Sequence, residues 1–145
     1  MNKSVIIFFL ILVIAFFVTN YIEDYKEIRV SDVIDGDTIR IGDNKIVRLI
    51  GINAPEINEA CYSEAKQKLE ELVEHKKVRL EKDVKDKDGY GRLLRYVYID
   101  DLFVNSEMIR LGLARFEEIE PNNKYSSLFL DLENKARKAG RCIWE

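Results

Sequence analysis

The stretch from Ile28 to Ile52, IRVSDVIDGDTIRIGDNKIVRLIGI, decides the fold. It contains three β-rich runs with partial apolar and polar alternation, which is typical of strands with one buried face: Ile28–Ile34, Thr38–Ile41 and Lys45–Ile52. Asp35-Gly36-Asp37 marks a turn after the first run, and Gly42-Asp43-Asn44 is a hairpin signal after the second. The stretch therefore predicts three short strands joined by tight turns.

The apolar period changes beyond this stretch. Ser63–Lys77 carries apolar residues on one face of a helix. Two strands and two helices are predicted after it: Val78–Leu80, Leu93–Ile99, Asn105–Leu111 and Ser126–Ala139, the last with Leu128, Leu132, Ala136 and Ala139 facing inward. Strands and helices do not alternate regularly, which argues against a doubly wound parallel sheet. The order predicts an α+β domain built on a small barrel of the OB type.

The N-terminal residues differ from the rest of the chain. Val5–Val18 is a run of 14 apolar residues, and the uncharged stretch Ser4–Ile22 has 19 residues. As a helix that stretch would extend about 28 Å, close to the hydrocarbon thickness of a bilayer. Lys3 precedes it and acids follow it, a charge bias that keeps the N-terminus in the cytoplasm and exports the remaining chain.

Residues 1–22 are therefore predicted to be a signal anchor or a signal peptide, and residues 23–145 the exported domain. The anchor is favoured because Phe17–Tyr21 lacks the small residues of a cleavage site. The domain would be membrane-anchored outside the cytoplasm, or secreted if the segment is cleaved. A buried core helix is the remaining alternative, and the absence of a polar face argues against it.

Composition excludes several classes of site. The chain of 145 residues has two cysteines and one histidine, which excludes a four-cysteine zinc site and zinc hydrolases of the HExxH type. It has 23 basic and 26 acidic residues, a net charge of −3. A role with nucleic acid would therefore depend on a locally positive cleft, with a metal ion supplying part of the charge.

Four clusters combine residues that carry chemistry: Asp35–Thr38, Arg48–Glu56, Asp88–Arg92 and Asn105–Ala114. Each alone is compatible with a turn or a surface ion pair. Together they supply oxygen ligands for Ca²⁺ or Mg²⁺, two arginines for a phosphate and a carboxylate that can orient water. This combination indicates a phosphodiesterase.

The clusters stand in motifs that resemble the staphylococcal nuclease (thermonuclease) family. The motifs are VIDGDTIRI, VRLIGINAPE, DGYGRLLRYVY, VNSEMIRLGLAR, EPNNKY and the closing IW, and they extend from Val33 to Trp144. The resemblance implies a five-stranded OB-type barrel with three helices, here preceded by a hydrophobic N-terminal helix. It also implies Ca²⁺-dependent cleavage of DNA and RNA with little sequence preference, giving 3′-phosphorylated products.

The resemblance also assigns residues by position. It implies Arg48, Glu56 and Arg92 as catalytic residues, Asp37, Asn53 and the Ala54 carbonyl as metal ligands, and Tyr90 as a substrate contact. Asn53 stands where the best-known member has an aspartate, so weaker calcium binding is expected. Gly89 replaces a lysine, and a second nucleotide-facing tyrosine has no match in a stretch that offers Glu117 and Glu118.

Two further expectations concern the cysteines and the alternative functions. The predicted export and the family resemblance, which brings the start of the first helix close to the closing Ile-Trp segment, imply a disulfide between Cys61 and Cys142; two separate thiols are the alternative. A non-catalytic nucleic-acid-binding OB module, and a membrane-anchored interaction domain with a vestigial site, are the alternatives to a nuclease. No protein partner is implied.

Overall fold

The computed structural model describes residues 3–24 and 27–145. Met1, Asn2, Tyr25 and Lys26 lie outside the described residues, so the ends of the predicted segment 1–22 and of the predicted domain 23–145 are described only in part. Helix α1 is Lys3–Asp24. Within the described part of the chain, no helix has the length and apolarity needed to span a bilayer. The predicted membrane-spanning helix is therefore not supported.

The remaining elements form an α+β domain. Its longer strands are β1 Glu27–Asp35, β2 Thr38–Ile41, β3 Lys45–Leu49, β5 Lys77–Glu81 and β6 Leu93–Ile99. Three two-residue strands are β4 Ile52–Asn53, β7 Leu102–Phe103 and β8 Arg115–Phe116. Helices α2 Tyr62–Val73, α3 Val104–Arg110 and α4 Ser126–Lys138 bring the described α-helices to four, and a 3₁₀ turn spans Cys142–Trp144.

The five longer strands close into a barrel. The sheet runs in the order β3-β2-β1-β5-β6, and β3 also pairs with β6, in parallel. Closure leaves these strands without a free edge between β3 and β6. The predicted α+β class and five-stranded barrel are confirmed. In this parallel pairing Arg48 lies opposite Leu94 and Val47 lies opposite Leu93, which sets the position of Arg48 relative to the start of β6.

The barrel interior and one face of each domain helix form a single apolar core. Its fully buried side chains include Val30, Ile39, Val47, Leu94, Tyr96, Val97, Leu69, Met108 and Phe129. Asn105, one of the residues singled out for chemistry, is buried in this core: its amide donates to the Ile50 carbonyl at 2.8 Å, and its Oδ1 accepts from the Val97 N–H at 2.9 Å. It therefore ties α3 to the barrel.

Two details of the predicted elements are wrong, and both involve Phe129. The run Lys45–Ile52 is not one strand, because the chain turns at Gly51, which adopts φ +76°. A Cβ there would lie 2.5 Å from the Phe129 ring. Helix α4 buries Phe129, Glu133 and Ala136, whereas Leu128 is exposed. The larger aromatic side chain fills the core, so the buried face is rotated from the predicted one.

Candidate active site

The turn between β1 and β2 holds the Asp37 carboxylate against the loop that follows β4. Asp37 Oδ2 accepts a hydrogen bond from the Ala54 N–H at 2.8 Å, and Oδ1 accepts one from the Thr38 hydroxyl at 2.9 Å. Gly36 permits this approach, because a Cβ on it would lie 2.6 Å from the Ala54 Cβ. The structure thus brings two predicted ligand residues, Asp37 and Ala54, into direct contact.

The Asp37 side chain is almost inaccessible to water, with the residue 7% exposed. Burial raises its pKa to about 6; the Arg48 guanidinium opposes this effect and the Asp35 carboxylate adds to it. Hydrogen bonds from Ala54 and Thr38 lower the pKa by smaller amounts. Ionisation of Asp37 is therefore less favourable than that of an exposed aspartate, and a further positive charge nearby would favour the ionised form.

Arg48 connects the two sides of this turn. It is buried, 6% exposed, and its Nε lies 3.2 Å from Asp37 Oδ1. Its Nη1 donates to the carbonyls of Leu49 and Ile52 at 2.8 and 2.6 Å, and its Nη2 lies 3.2 Å from Glu117 Oε2. The guanidinium is thereby fixed in one orientation, as preorganised charge stabilisation requires.

The predicted ligand set consists of oxygen atoms and fits a hard cation. A carboxylate offers about four lone-pair positions; the hydrogen bonds from Ala54 and Thr38 use two of them, and Arg48 adds an ion pair. Asn53 is exposed at the end of β4, beside Ala54. Within residues 3–24 and 27–145, no three His, Cys, Asp or Glu side chains form a group able to hold a metal. A cation here would depend on amide and main-chain oxygens as well.

Glu56 lies in the loop between β4 and α2 and is exposed to solvent. The loop turns back on itself, because the Glu56 N–H donates to the Glu59 carboxylate at 2.8 Å and the Glu59 N–H donates to the Glu56 carbonyl at 2.9 Å. Glu56 is two residues from Ala54, so its main chain lies near the contact between Asp37 and Ala54. An exposed carboxylate at this point is open to water and to a large substrate.

Asp88 organises the loop that precedes β6. Its Oδ1 accepts hydrogen bonds from the main-chain N–H groups of Tyr90 and Arg92 at 2.9 and 3.0 Å, and its Oδ2 accepts one from Arg92 Nε at 2.6 Å. The Tyr90 ring is 89% exposed, and the Arg92 guanidinium carbon lies 5.5 Å from its centroid. The bond to Asp88 uses Nε, so it fixes Arg92 without engaging the two terminal nitrogens.

The predicted site residues fall into two groups. Direct contacts join Asp37, Arg48 and Ala54, and Asn53 and Glu56 follow along the same stretch of chain. Tyr90 and Arg92 form the second group at the start of β6. The parallel register places the groups side by side, because Arg48 is paired with Leu94, two residues beyond Arg92.

Two contacts at the candidate site were not predicted. Glu117, beside β8, is the partner of Arg48, although its position was noted only as lacking a tyrosine. Asp88 positions Tyr90 and Arg92 through three hydrogen bonds. The Asp88 contact has a sequence signal, an acid four residues before an arginine with two glycines between them. The Glu117 contact depends on the β4–β8 pairing, for which the neighbouring sequence gives no signal.

Cys61 and Cys142 form a disulfide in the structure, with a Cα–Cα distance of 6.0 Å. Cys61 immediately precedes α2, and Cys142 begins the C-terminal 3₁₀ turn. The Ile143 N–H also donates to the Gly112 carbonyl at 3.2 Å. The disulfide and this hydrogen bond attach the C-terminal segment to the domain.

Comparison with known proteins identifies similar chains. The family model described as Staphylococcal nuclease homologue matches residues 46–145, a range that includes Arg48, Glu56 and Arg92 and begins after Asp37. Thermonuclease from Staphylococcus intermedius is 38% identical over 125 residues, which cover 80% of this chain and 74% of that protein. Thermonuclease from Staphylococcus hyicus is 35% identical over 131 residues, covering 84% and 76%. Endonuclease YncB from Bacillus subtilis is 39% identical over 122 residues, covering 77% and 58%.

Proposed function

The chain belongs to the staphylococcal nuclease family, and from this premise we propose that it is a Ca²⁺-dependent endonuclease that hydrolyses DNA and RNA with little sequence preference. The relatives named as thermonucleases and endonucleases support nuclease activity. The observation that carries the proposal is the buried contact of Asp37 with Arg48 and with the Ala54 N–H. It joins a carboxylate, a phosphate-binding cation and the loop that leads to Glu56.

Asp37, Asn53 and the Ala54 carbonyl would hold the calcium ion. The raised pKa of Asp37 supports this assignment, because a buried carboxylate that ionises reluctantly gains most from a bound cation. When bound, Ca²⁺ supplies positive charge where the phosphate accumulates negative charge. Arg48 holds Asp37 in place from the opposite side through its Nε.

The protein groups divide the remaining work. Glu56 orients the attacking water and accepts its proton as the new bond from oxygen to phosphorus forms. Arg48 and Arg92 stabilise the charge that grows on the phosphoryl oxygens. The bond from phosphorus to the 5′-oxygen breaks, and the 5′-oxygen takes a proton from solvent. The products carry a 3′-phosphate and a 5′-hydroxyl.

We also propose that the domain acts outside the cytoplasm. Two observations support this location. The Cys61–Cys142 disulfide belongs to an oxidising compartment. The uncharged stretch Ser4–Ile22, with a lysine before it and acids after it, is typical of an export signal.

The test is cleavage of single-stranded DNA and of RNA by the full chain, with Ca²⁺ and with excess chelator. Cleavage that requires Ca²⁺ and leaves 3′-phosphate ends is expected. Glu56→Gln, Arg48→Ala and Arg92→Ala are each expected to lower kcat by at least about 100-fold while the fold persists. Undiminished cleavage in chelator would overturn the metal assignment.

Two matched variants control for the loss of a charge elsewhere. Arg29→Ala removes an exposed arginine from β1, and Glu64→Gln removes an exposed carboxylate from the first turn of α2. Both are expected to retain wild-type kcat. Binding without cleavage by the wild type would favour the non-catalytic OB module, and the absence of binding would favour the interaction domain with a vestigial site.

A further inference from the structure

A cavity of about 560 Å³ lies beyond the candidate active site, between the start of β3 and the loop that precedes β6. Tyr90 and Arg92 border it, whereas Asp37, Arg48 and Glu56 do not line it. Cavities of about 300–1,000 Å³ are the usual size for small-molecule sites, so this one is large enough for a nucleotide unit. The cavity therefore adjoins the candidate active site and reaches beyond it.

The charge of this cavity differs from that of the chain as a whole. The chain is acidic overall, with a net charge of −3. The cavity is lined by four cationic side chains and by one carboxylate: Lys45, Lys87, Arg92, Arg95 and Asp86. A concave surface with this imbalance attracts a polyanion.

The single carboxylate is already neutralised by two partners. Asp86 Oδ1 lies 2.8 Å from Arg95 Nη2 and 3.4 Å from Lys82 Nζ. Lys45 and Lys87, by contrast, form no ion pair among the residues that the structure describes. The two lysines are exposed, so their ammonium groups remain available to an anion.

The backbone fixes these lysines relative to Arg92. Lys45 begins β3, which runs parallel to β6 with Val47 opposite Leu93. Lys87 pairs with Leu93 from the other side through an isolated bridge, and the Leu94 N–H donates to the Asp86 carbonyl at 2.9 Å. The cations thus flank the strand start that carries Arg92, on rigid main-chain positions.

We propose that this cavity is a second phosphate subsite, in which Lys45 and Lys87 bind the phosphodiester that neighbours the scissile one on a single nucleic-acid strand. The inference rests on the proposed nuclease function and adds to it a requirement for strand length. A dinucleotide has only the scissile phosphodiester, whereas a longer strand reaches the cavity. Ile46 and Leu93, which also line it, offer apolar contact to the sugar or base of the flanking unit.

The experiment measures binding and cleavage on full-length protein. Binding of a thymidylate dodecamer to the cleavage-impaired Glu56→Gln protein is titrated over a range of salt concentrations. With Lys45→Ala and Lys87→Ala added together, binding is expected to weaken at least about fivefold. The slope of log K against log salt is expected to fall by about 0.7, because the two lysines neutralise one phosphate and each neutralised phosphate of a single strand contributes about 0.7.

In the otherwise wild-type chain, the same two substitutions are expected to reduce the ratio of kcat/KM for the dodecamer to kcat/KM for the dinucleotide. Lys45→Arg with Lys87→Arg should retain both the slope and the ratio, since the charges persist. Lys138→Ala, an exposed lysine of α4 without an ion pair among the described residues, is the control for charge alone.

The outcomes separate the two proposals. If the wild type cleaves both probes and the double alanine variant has the salt slope of the Lys138→Ala control, the subsite is overturned and the nuclease function stands. If the wild type neither binds nor cleaves nucleic acid, the proposed function fails and the subsite fails with it. A slope that falls only in the double alanine variant supports the subsite.

Discussion

Glu117 Oε2 lies 3.2 Å from Nη2 of Arg48, across 69 positions of sequence, and this contact places a negative charge beside the cation that we propose binds phosphate. The other nitrogens of Arg48 are directed to Asp37 and to main-chain carbonyls. The Glu117 side chain is 47% exposed, so it is the part of this network that a substrate meets. A phosphate that approaches Nη2 has to compete with it.

Glu117→Gln is therefore expected to lower KM for a nucleic-acid substrate about twofold to fivefold. The amide still accepts a hydrogen bond from Arg48, and the repulsion of about 1 kcal/mol or less between two exposed like charges is removed. The effect should diminish as salt is raised. Glu118→Gln, which removes the adjacent exposed charge, is the control. An unchanged KM, or one that rises, would show that Glu117 does not oppose the substrate.

The pKa of Asp37 predicts how the stability of the calcium-free protein depends on pH. A carboxyl whose pKa is raised from 3.8 to about 6 on folding binds a proton more tightly in the native state. Its contribution to stability is complete below pH 4 and is lost as the pH rises through about 6, by at most about 3 kcal/mol. Relative to Asp37→Asn, the wild type should therefore lose thermal stability between about pH 4 and pH 7 in chelator.

Melting temperatures of the two proteins across this pH range test the prediction. Added Ca²⁺ is expected to restore the wild type at neutral pH and to have little effect on Asp37→Asn. A difference in melting temperature that stays constant from pH 4 to pH 7 would mean that Asp37 does not titrate in this range.

The fold was predictable where short-range signals agree with each other. The turns at Asp35–Asp37 and Gly42–Asn44 separate runs that become β1, β2 and β3. Closure of the barrel was expected from the family resemblance, because the β3–β6 pairing that closes it joins distant parts of the chain. The face of α4 was not predictable, because Leu128 and Phe129 satisfy the helical period almost equally well. Only the space above Gly51 selects Phe129.

The candidate site was predictable to a similar extent. Asp37, Arg48 and Ala54 belong to motifs that stand close together in sequence, and the structure brings them into contact. The partner of Arg48 was not predictable, because Glu117 reaches it through the pairing of Ile52 with Phe116. That pairing joins two strands of two residues each, which carry no period of their own.

Asn53→Asp tests the predicted ligand set. A carboxylate at this exposed position adds a formal negative charge beside Ala54, so calcium is expected to bind about tenfold more tightly, which corresponds to about 1.4 kcal/mol. Calorimetric titration of the metal measures the change. Asn58→Asp places the same charge in the same loop, at an exposed residue that is not a predicted ligand. Identical titrations for the two variants would remove Asn53 from the ligand set.

Reduction of the disulfide should destabilise the domain without abolishing cleavage at low temperature. The bond joins residues 81 positions apart, and a loop of that length corresponds to about 4–5 kcal/mol in the chain-entropy account. Asp37, Arg48 and Ala54 are held by hydrogen bonds and an ion pair among themselves, which the disulfide does not supply. The melting temperature is therefore expected to fall by several degrees or more. Cys61→Ala with Cys142→Ala should reproduce this loss and be insensitive to reductant. Two alkylatable thiols per chain in unreduced, unfolded protein purified from its native envelope would contradict both the bond and the proposed oxidising location, because a disulfide that forms in that compartment persists there.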